Sequence, residues 1–260
     1  MPKTRLVFYG TSAGFPTRDR FTSCVGLWRG EELYLLDAGE PASAHFSRNG
    51  IAPDALRAIL ISHTHADHIG GLPMLLQWLQ LNQRTQPLTL LLPAEAITIF
   101  RDYLDLLHLY PDQLGFDLEY RPVAPGKVYD RNGVSVEALS TRHLAHHQER
   151  LRREGKGRTG QSFSYLVTVD GKRVLYSGDL REPAEIVEPA NRADLAIVET
   201  AHFPPEDVGR ALAETTLPRL VATHLIHLLE PTQEEVPGRL RAGGFGGEIV
   251  LAVDGLEVEF

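Results

Sequence analysis

The apolar run RAILI (57–61) leads through Ser62 into His63, His65, Asp67 and His68, and Gly70 and Gly71 follow before an amphipathic stretch begins. This junction constrains the fold more than any other part of the sequence. At the end of a strand, side chains alternate between faces, so His63 and His65 point the same way. A turn then presents Asp67 and His68 toward a second point. One metal ion cannot take four donors from so tight a segment, but two neighbouring ions can. A lone histidine is more often a hydrogen-bonded structural residue than a ligand. Four donor side chains directly after an apolar strand argue for a metal site. The Gly70-Gly71 pair lets the backbone turn closely before the next helix.

Elsewhere, short apolar runs alternate with amphipathic stretches. Run length and flanking turn residues predict strands at 5–9, 25–28, 33–37, 58–62, 88–92, 116–120, 134–139, 164–169, 173–177, 195–199, 220–223 and 248–252. Helices are predicted at 42–49, 68–81, 94–109, 183–190, 205–217 and 232–242. Strands come first, then strand–helix alternation, and the pattern occurs twice, with a division near Pro122–Gly126. The expectation is an α/β (α+β) protein, a single domain over residues 1–260 made of two similar halves, about 1–124 and 125–260. Their sheets would pack face to face with helices outside.

Bulk properties narrow the function. The 260 residues suffice for a substantial core, and the net charge of −8 argues against a broad basic surface for nucleic acid. Any nucleic-acid contact is expected to be local. No apolar run approaches the roughly 20 residues of a membrane helix, so no membrane partner is expected. The N-terminal MPKTRLVFYG lacks the pattern of a signal peptide. A single cysteine, Cys24, allows no intrachain disulfide, and a cytoplasmic location is the default.

HTHADH matches the HxHxDH signature of the metallo-β-lactamase fold superfamily. FYGTSAGFPTRDRFTSC, LLDAGE, YSGDL, VATHLIH and LAVDGLEVEF resemble, in order, the further motifs of its ribonuclease Z-like branch, over nearly the whole chain. The resemblance implies a four-layer αββα sandwich with two divalent metal ions, usually zinc, at one end of the sheets; manganese or iron would suit the same donors. It assigns His63, His65 and His143 to one metal and Asp67, His68 and His224 to the other, with Asp179 bridging. His146 and His147 compete with His143 in VEALSTRHLAHH, and His227 reads as a pocket or surface residue. Asp37 would orient a metal-ligand region. Glu199 and His202 resemble a branch pair in which the histidine contacts a phosphate oxygen or protonates the leaving group, although the surrounding Ala-His-Phe-Pro departs from the branch pattern. Cys24 reads as a small packed residue.

The expected activity is hydrolysis of a phosphodiester by hydroxide formed at the metals, with Asp67 aiming it and His202 as acid. The same metals also serve carboxylic esters, lactones or thioesters, and a non-catalytic metal-binding protein is the reading from another class. Ribonuclease Z carries a long RNA-clasping arm between the counterparts of His143 and Asp179. Here that segment is short, which favours a small phosphodiester or a short nucleic acid. Within it, HHQERLRREGKGRTG is basic. If its first part is helical, His146, Arg150 and Arg153 share a face, with Lys156 and Arg158 in the loop beyond. Arg150 and Arg153 would be placed to hold a phosphate, and the run reads equally as a solvated surface helix. Residues 94–113 read as core, as a lid or as a dimer face. The family resemblance implies that a homodimer is common.

Overall fold

Alternate side chains of most strands belong to two different cores, and this decides the layering. Leu6 and Phe8, Val25 and Leu27, Tyr34 and Leu36, and Ala58 and Leu60 face a central core. Their neighbours Val7, Tyr9, Leu33, Leu35, Ile59 and Ile61 face a second core beneath helices. Strands buried on both faces read as continuous apolar runs, which is how most of them look in the sequence. The computed structural model describes residues 3–155, 157–226 and 232–260.

The elements in chain order are β1 (Thr4–Gly10), β2 (Cys24–Arg29), β3 (Glu32–Leu36), α1 (Ala42–Arg48), β4 (Leu56–Leu60), α2 (Ala66–Ile69), α3 (Leu72–Leu81), β5 (Leu88–Pro93), α4 (Ile97–Leu106) and β6 (Leu118–Val123). They continue with β7 (Gly126–Arg131), β8 (Val134–Thr141), α5 (Gln148–Arg153), β9 (Ser162–Val169), β10 (Lys172–Tyr176), α6 (Val187–Ala190) and β11 (Leu195–Glu199). The last are α7 (Pro205–Leu212), β12 (Arg219–Thr223), α8 (Val236–Ala242), β13 (Glu248–Leu251) and β14 (Glu257–Glu259).

One sheet has the order β14-β1-β2-β3-β4-β5-β6 and the other β13-β12-β11-β10-β9-β8-β7. Each contains three antiparallel pairings followed by three parallel ones. The final strand β14 returns to pair with β1, so the C-terminus closes the sheet that the N-terminus opened. The sheets share the central core, and a third core lies between the second sheet and α6, α7 and α8. This is the expected four-layer sandwich of two mixed sheets flanked by helices. Among the described residues no helix is long and apolar enough to cross a membrane.

Several elements differ from the sequence reading, among them β14, which was not predicted. The helix expected over 68–81 is two pieces, α2 and α3. The break at Gly70-Gly71 is demanded by close approach rather than by an unusual dihedral: Gly71 N–H donates to Ala38 O at 2.9 Å. A Cβ on Gly71 would lie 2.3 Å from Gly39 O. Strand β7 was not predicted, because on this sheet edge only Tyr129 is buried. Strand β6 runs past Pro122, which an edge strand tolerates since one side has no partner to receive an N–H. Over 94–113, α4 buries Phe100 and Leu104 against the outer core and leaves Ile99, Tyr103 and Leu106 exposed.

His45 on α1 is buried against the rings of Tyr9 and Phe21, and its Nε2 has no hydrogen-bond partner among the described residues. Burial, aided by Arg48, lowers its pKa to about 4. The unfolded chain therefore binds a proton at higher pH than the folded one, and stability contributed by neutral His45 is lost as pH falls from about 6.5 toward 4. In His45→Phe the gap between urea midpoints at pH 7 and pH 5 should narrow relative to the wild type. An unchanged gap would show that His45 does not carry this pH dependence.

Candidate metal centre

The donor side chains converge at the carboxyl ends of the parallel strands and of β8. His63, His65, Asp67 and His68 follow β4, and His143 follows β8. Asp179 lies three residues beyond β10, Glu199 ends β11, and His224 follows β12. His63, His65, His143 and Asp179 form one group of potential ligand atoms within 4.8 Å of one another, and Asp67, His68 and His224 form another.

Asp179 lies between the groups. Its Oδ2 is 3.7 Å from His63 Nε2 and 3.6 Å from His143 Nε2. Its Oδ1 is 3.3 Å from both His68 Nε2 and His224 Nε2. Asp67 Oδ2 completes the second group at 3.5 Å from His68 Nε2 and 3.7 Å from His224 Nε2. These separations exceed ordinary hydrogen bonds. They resemble the edges of a coordination polyhedron: donors about 2.0–2.1 Å from zinc at tetrahedral angles lie about 3.3 Å apart. His63 Nε2, His68 Nε2 and Asp179 Oδ1 are buried with no hydrogen-bond partner among the described residues. Buried polar atoms left in this way are costly unless something else satisfies them. The set fits a divalent metal.

The other ring nitrogens are tied down. His68 Nδ1 donates to Asp37 Oδ2 at 2.7 Å, His224 Nδ1 pairs with Ser23 Oγ at 2.7 Å, and His63 Nδ1 with Ser62 Oγ at 3.0 Å. His143 Nδ1 faces Leu180 O at 3.3 Å. Such contacts aim each Nε2 inward. Asp37 also accepts hydrogen bonds from Ser62 N–H, Ser62 Oγ and Tyr176 OH at 2.6–2.7 Å, while its own backbone is left-handed at φ 61°. His224 takes a similar conformation at φ 54°.

Burial pushes His63 well below the ordinary histidine value and His143 down to about 4, so both rings favour the neutral form that offers a lone pair to a cation. Burial opposes ionisation of Asp67 and Asp179, yet the neighbouring His68 and His224 hold both carboxyls below the usual range.

The family model for the β-lactamase superfamily domain matches residues 34–225. The chain belongs to the β-lactamase superfamily. A ribonuclease Z of Myxococcus xanthus is 28% identical over all of this chain and 98% of its own length. The metallo-β-lactamase fold protein YhfI from Bacillus subtilis superposes with a TM-score of 0.80 at 19% identity, over the full length of both chains. The short form of human tRNase Z superposes with 0.69 at 20% identity over 98% of each chain. The two structural likenesses show the fold.

His202, the remaining functional candidate, lies on the open side of this superfamily site. Its Nδ1 is 2.9 Å from Glu199 Oε2 and 4.0 Å from Asp179 Oδ2. Buried Glu199 also accepts from the N–H groups of Leu180, Ala201 and His202, joining the ends of β10 and β11. Burial would lower the His202 pKa, but the Glu199 carboxylate prevails and raises it. His146 and His147 stand outside both donor groups: His146 Nδ1 bonds His143 O, and the His147 ring lies 6.0 Å from that of His65. Residues 143–147 form a 3₁₀ turn that leads into α5, and His146 lines a different cleft from Arg150. Arg150 lines a cleft beside His65, whereas Arg153 is exposed and outside that lining. Cys24 is buried in the outer core, where burial raises its thiol pKa. Lys156 and His227 lie outside the described residues.

Sequence reasoning missed Ser23, Ser62, Tyr176 and Gly14, whose N–H donates to Asp67 Oδ2 at 2.7 Å. Ser62 stands beside the histidines and was within reach. Ser23 and Tyr176 are ordinary residues until the chain folds. Ser23→Ala should weaken zinc binding by about 10- to 100-fold in chelator competition, by freeing the His224 ring. Undiminished affinity would show that this hydrogen bond does not orient a ligand.

Proposed function

We propose that the protein is a metal-dependent phosphodiesterase with two metal ions, zinc in the first instance, although manganese or iron would suit the same donors. The observation that carries this reading is Asp179, whose two carboxylate oxygens each face a separate group of imidazoles. His63, His65 and His143 would hold one ion, Asp67, His68 and His224 the other, and Asp179 both. When bound, two such ions supply an activated water at neutral pH and neutralise charge on the phosphoryl oxygens. Relatives at 28% identity over nearly full length carry the name ribonuclease Z, which supports phosphodiester chemistry.

The chain's own residues do the rest. Asp67, fixed by Gly14 N–H, aims the attacking water. The His202 ring, turned by Glu199 at Nδ1, presents Nε2 to the leaving oxygen and donates a proton there. Its raised pKa keeps it protonated to higher pH than a free histidine. The two clefts along Asp67, His143 and His202 measure about 250 and 350 Å³, which suits a small phosphodiester or the end of a short nucleic acid. A cytoplasmic setting suits a chain whose one thiol is buried and unpaired.

The test is turnover of bis(p-nitrophenyl) phosphate by zinc- and manganese-loaded protein. Turnover should be present and lost in Asp67→Ala. His202→Ala should lose roughly 10²–10⁴-fold on esters with poor leaving groups and much less on p-nitrophenyl esters. Absence of turnover by metal-loaded protein would contradict the phosphodiesterase reading and turn attention to carboxylic esters and lactones. Equal losses on both leaving groups would contradict the acid role of His202.

A further inference from the structure

Three clefts meet at His65. One, about 250 Å³, runs beneath Phe15 and Ile226 over Asp67, Asp179 and His224. Another, about 350 Å³, lies along His143, His202, Arg181 and Phe203. The third, about 310 Å³, leads away from the metal-facing residues and is lined by Thr64, Glu95, His147, Arg150, Glu154 and Arg158 among others. The proposed mechanism uses the first two and leaves the third without a role.

The charges of this third cleft are arranged unevenly. The Glu95 carboxylate is occupied by the loop after Arg158: it accepts from the N–H groups of Thr159, Gly160 and Gln161 and from the Thr159 hydroxyl. That carboxylate anchors the loop that carries Arg158. Glu154 receives Arg150 Nε at 2.9 Å and lies 3.9 Å from Arg158 Nη2. It thus sets two guanidinium groups side by side on one wall. Arg158 Nε is buried and has no hydrogen-bond partner among the described residues. An exposed ion pair one helical turn apart holds weakly in water, so an incoming anion can displace Glu154 and take both arginines. Two adjacent guanidiniums with unused N–H groups match the oxygens of a phosphate. The cleft is joined to the first metal-facing group through His65, which belongs to both.

We propose that this cleft is a subsite for a second phosphate of the substrate, held by Arg150 and Arg158. The inference rests on the phosphodiesterase reading of the metal centre and names its preferred substrate: a phosphodiester carrying another phosphate nearby. That phosphate is either a terminal phosphomonoester or the next phosphate of a short strand.

The experiment compares the p-nitrophenyl ester of thymidine 5′-phosphate in three forms: with a free 3′-hydroxyl, with a 3′-phosphate, and extended at 3′ by a second nucleotide. The 3′-phosphate should raise kcat/KM roughly tenfold or more, mainly through KM, as expected for charge-assisted hydrogen bonds. Arg158→Gln and Arg150→Gln should each shrink that preference, and the double variant should abolish it. Arg152→Gln, on the same helix but away from the cleft lining, should keep it. Preference for the 3′-phosphate form alone assigns a terminal phosphate, and preference for both extended forms assigns the neighbouring phosphate of a strand. Calorimetric titration with thymidine 3′,5′-bisphosphate and thymidine 5′-phosphate reads the same difference without turnover. A bisphosphate preference that depends on Arg158 would sustain the subsite even if no diester were hydrolysed. No preference in the wild type, or one that survives the double variant, overturns the proposal.

Discussion

The Asp179 carboxylate is almost wholly buried, with imidazole nitrogens facing both of its oxygens. An ionised carboxylate in such a place is costly unless cations and hydrogen bonds compensate. Much of the surrounding architecture serves that requirement. Gly178, at φ 53°, turns the chain after β10, and a Cβ there would lie 2.8 Å from Phe163 O and 2.9 Å from Ser62 Cβ. Glu199 fixes the backbone on the far side of Asp179 by accepting Leu180 N–H. Asp37, at the end of β3 in the facing sheet, ties Ser62, His68 and Tyr176 into a single hydrogen-bonded unit that spans both sheets. The two sheets are thus joined at this end by polar contacts as well as by the central core.

Much of this was legible in the sequence because the key residues are local to apolar runs. RAILI before His63, VLYSGD around Asp179 and LVATH before His224 each announce a buried strand whose end carries a donor. The double strand–helix pattern likewise announced two facing sheets. What was not legible depends on contacts far apart in sequence. Ser23 meets His224 across 201 positions and Tyr176 meets Asp37 across 139, and neither residue has a local signature. His143 was set apart from His146 and His147 by the family motif alone, because no apolar pattern marks the 3₁₀ turn that holds all three. Edge strands β6 and β7 were misjudged because they bury few side chains, so periodicity had little to report.

The segment between His143 and Asp179 shapes access to the site. It consists of a 3₁₀ turn, the short helix α5, a loop pinned by Glu95 and the β9–β10 hairpin. Glu95 stands just ahead of α4, so the outer layer of the first half reaches across to hold a loop of the second. A set of small clefts surrounds the metal-facing residues.

The central claim is that Asp179 joins two metal positions, and zinc-edge anomalous diffraction from crystals of zinc-loaded protein tests it most directly. The account predicts two peaks about 3.5–4 Å apart, one on each side of the Asp179 carboxylate. His63, His65 and His143 should surround one peak, and Asp67, His68 and His224 the other. A single peak, or peaks away from Asp179, would contradict the two-metal account.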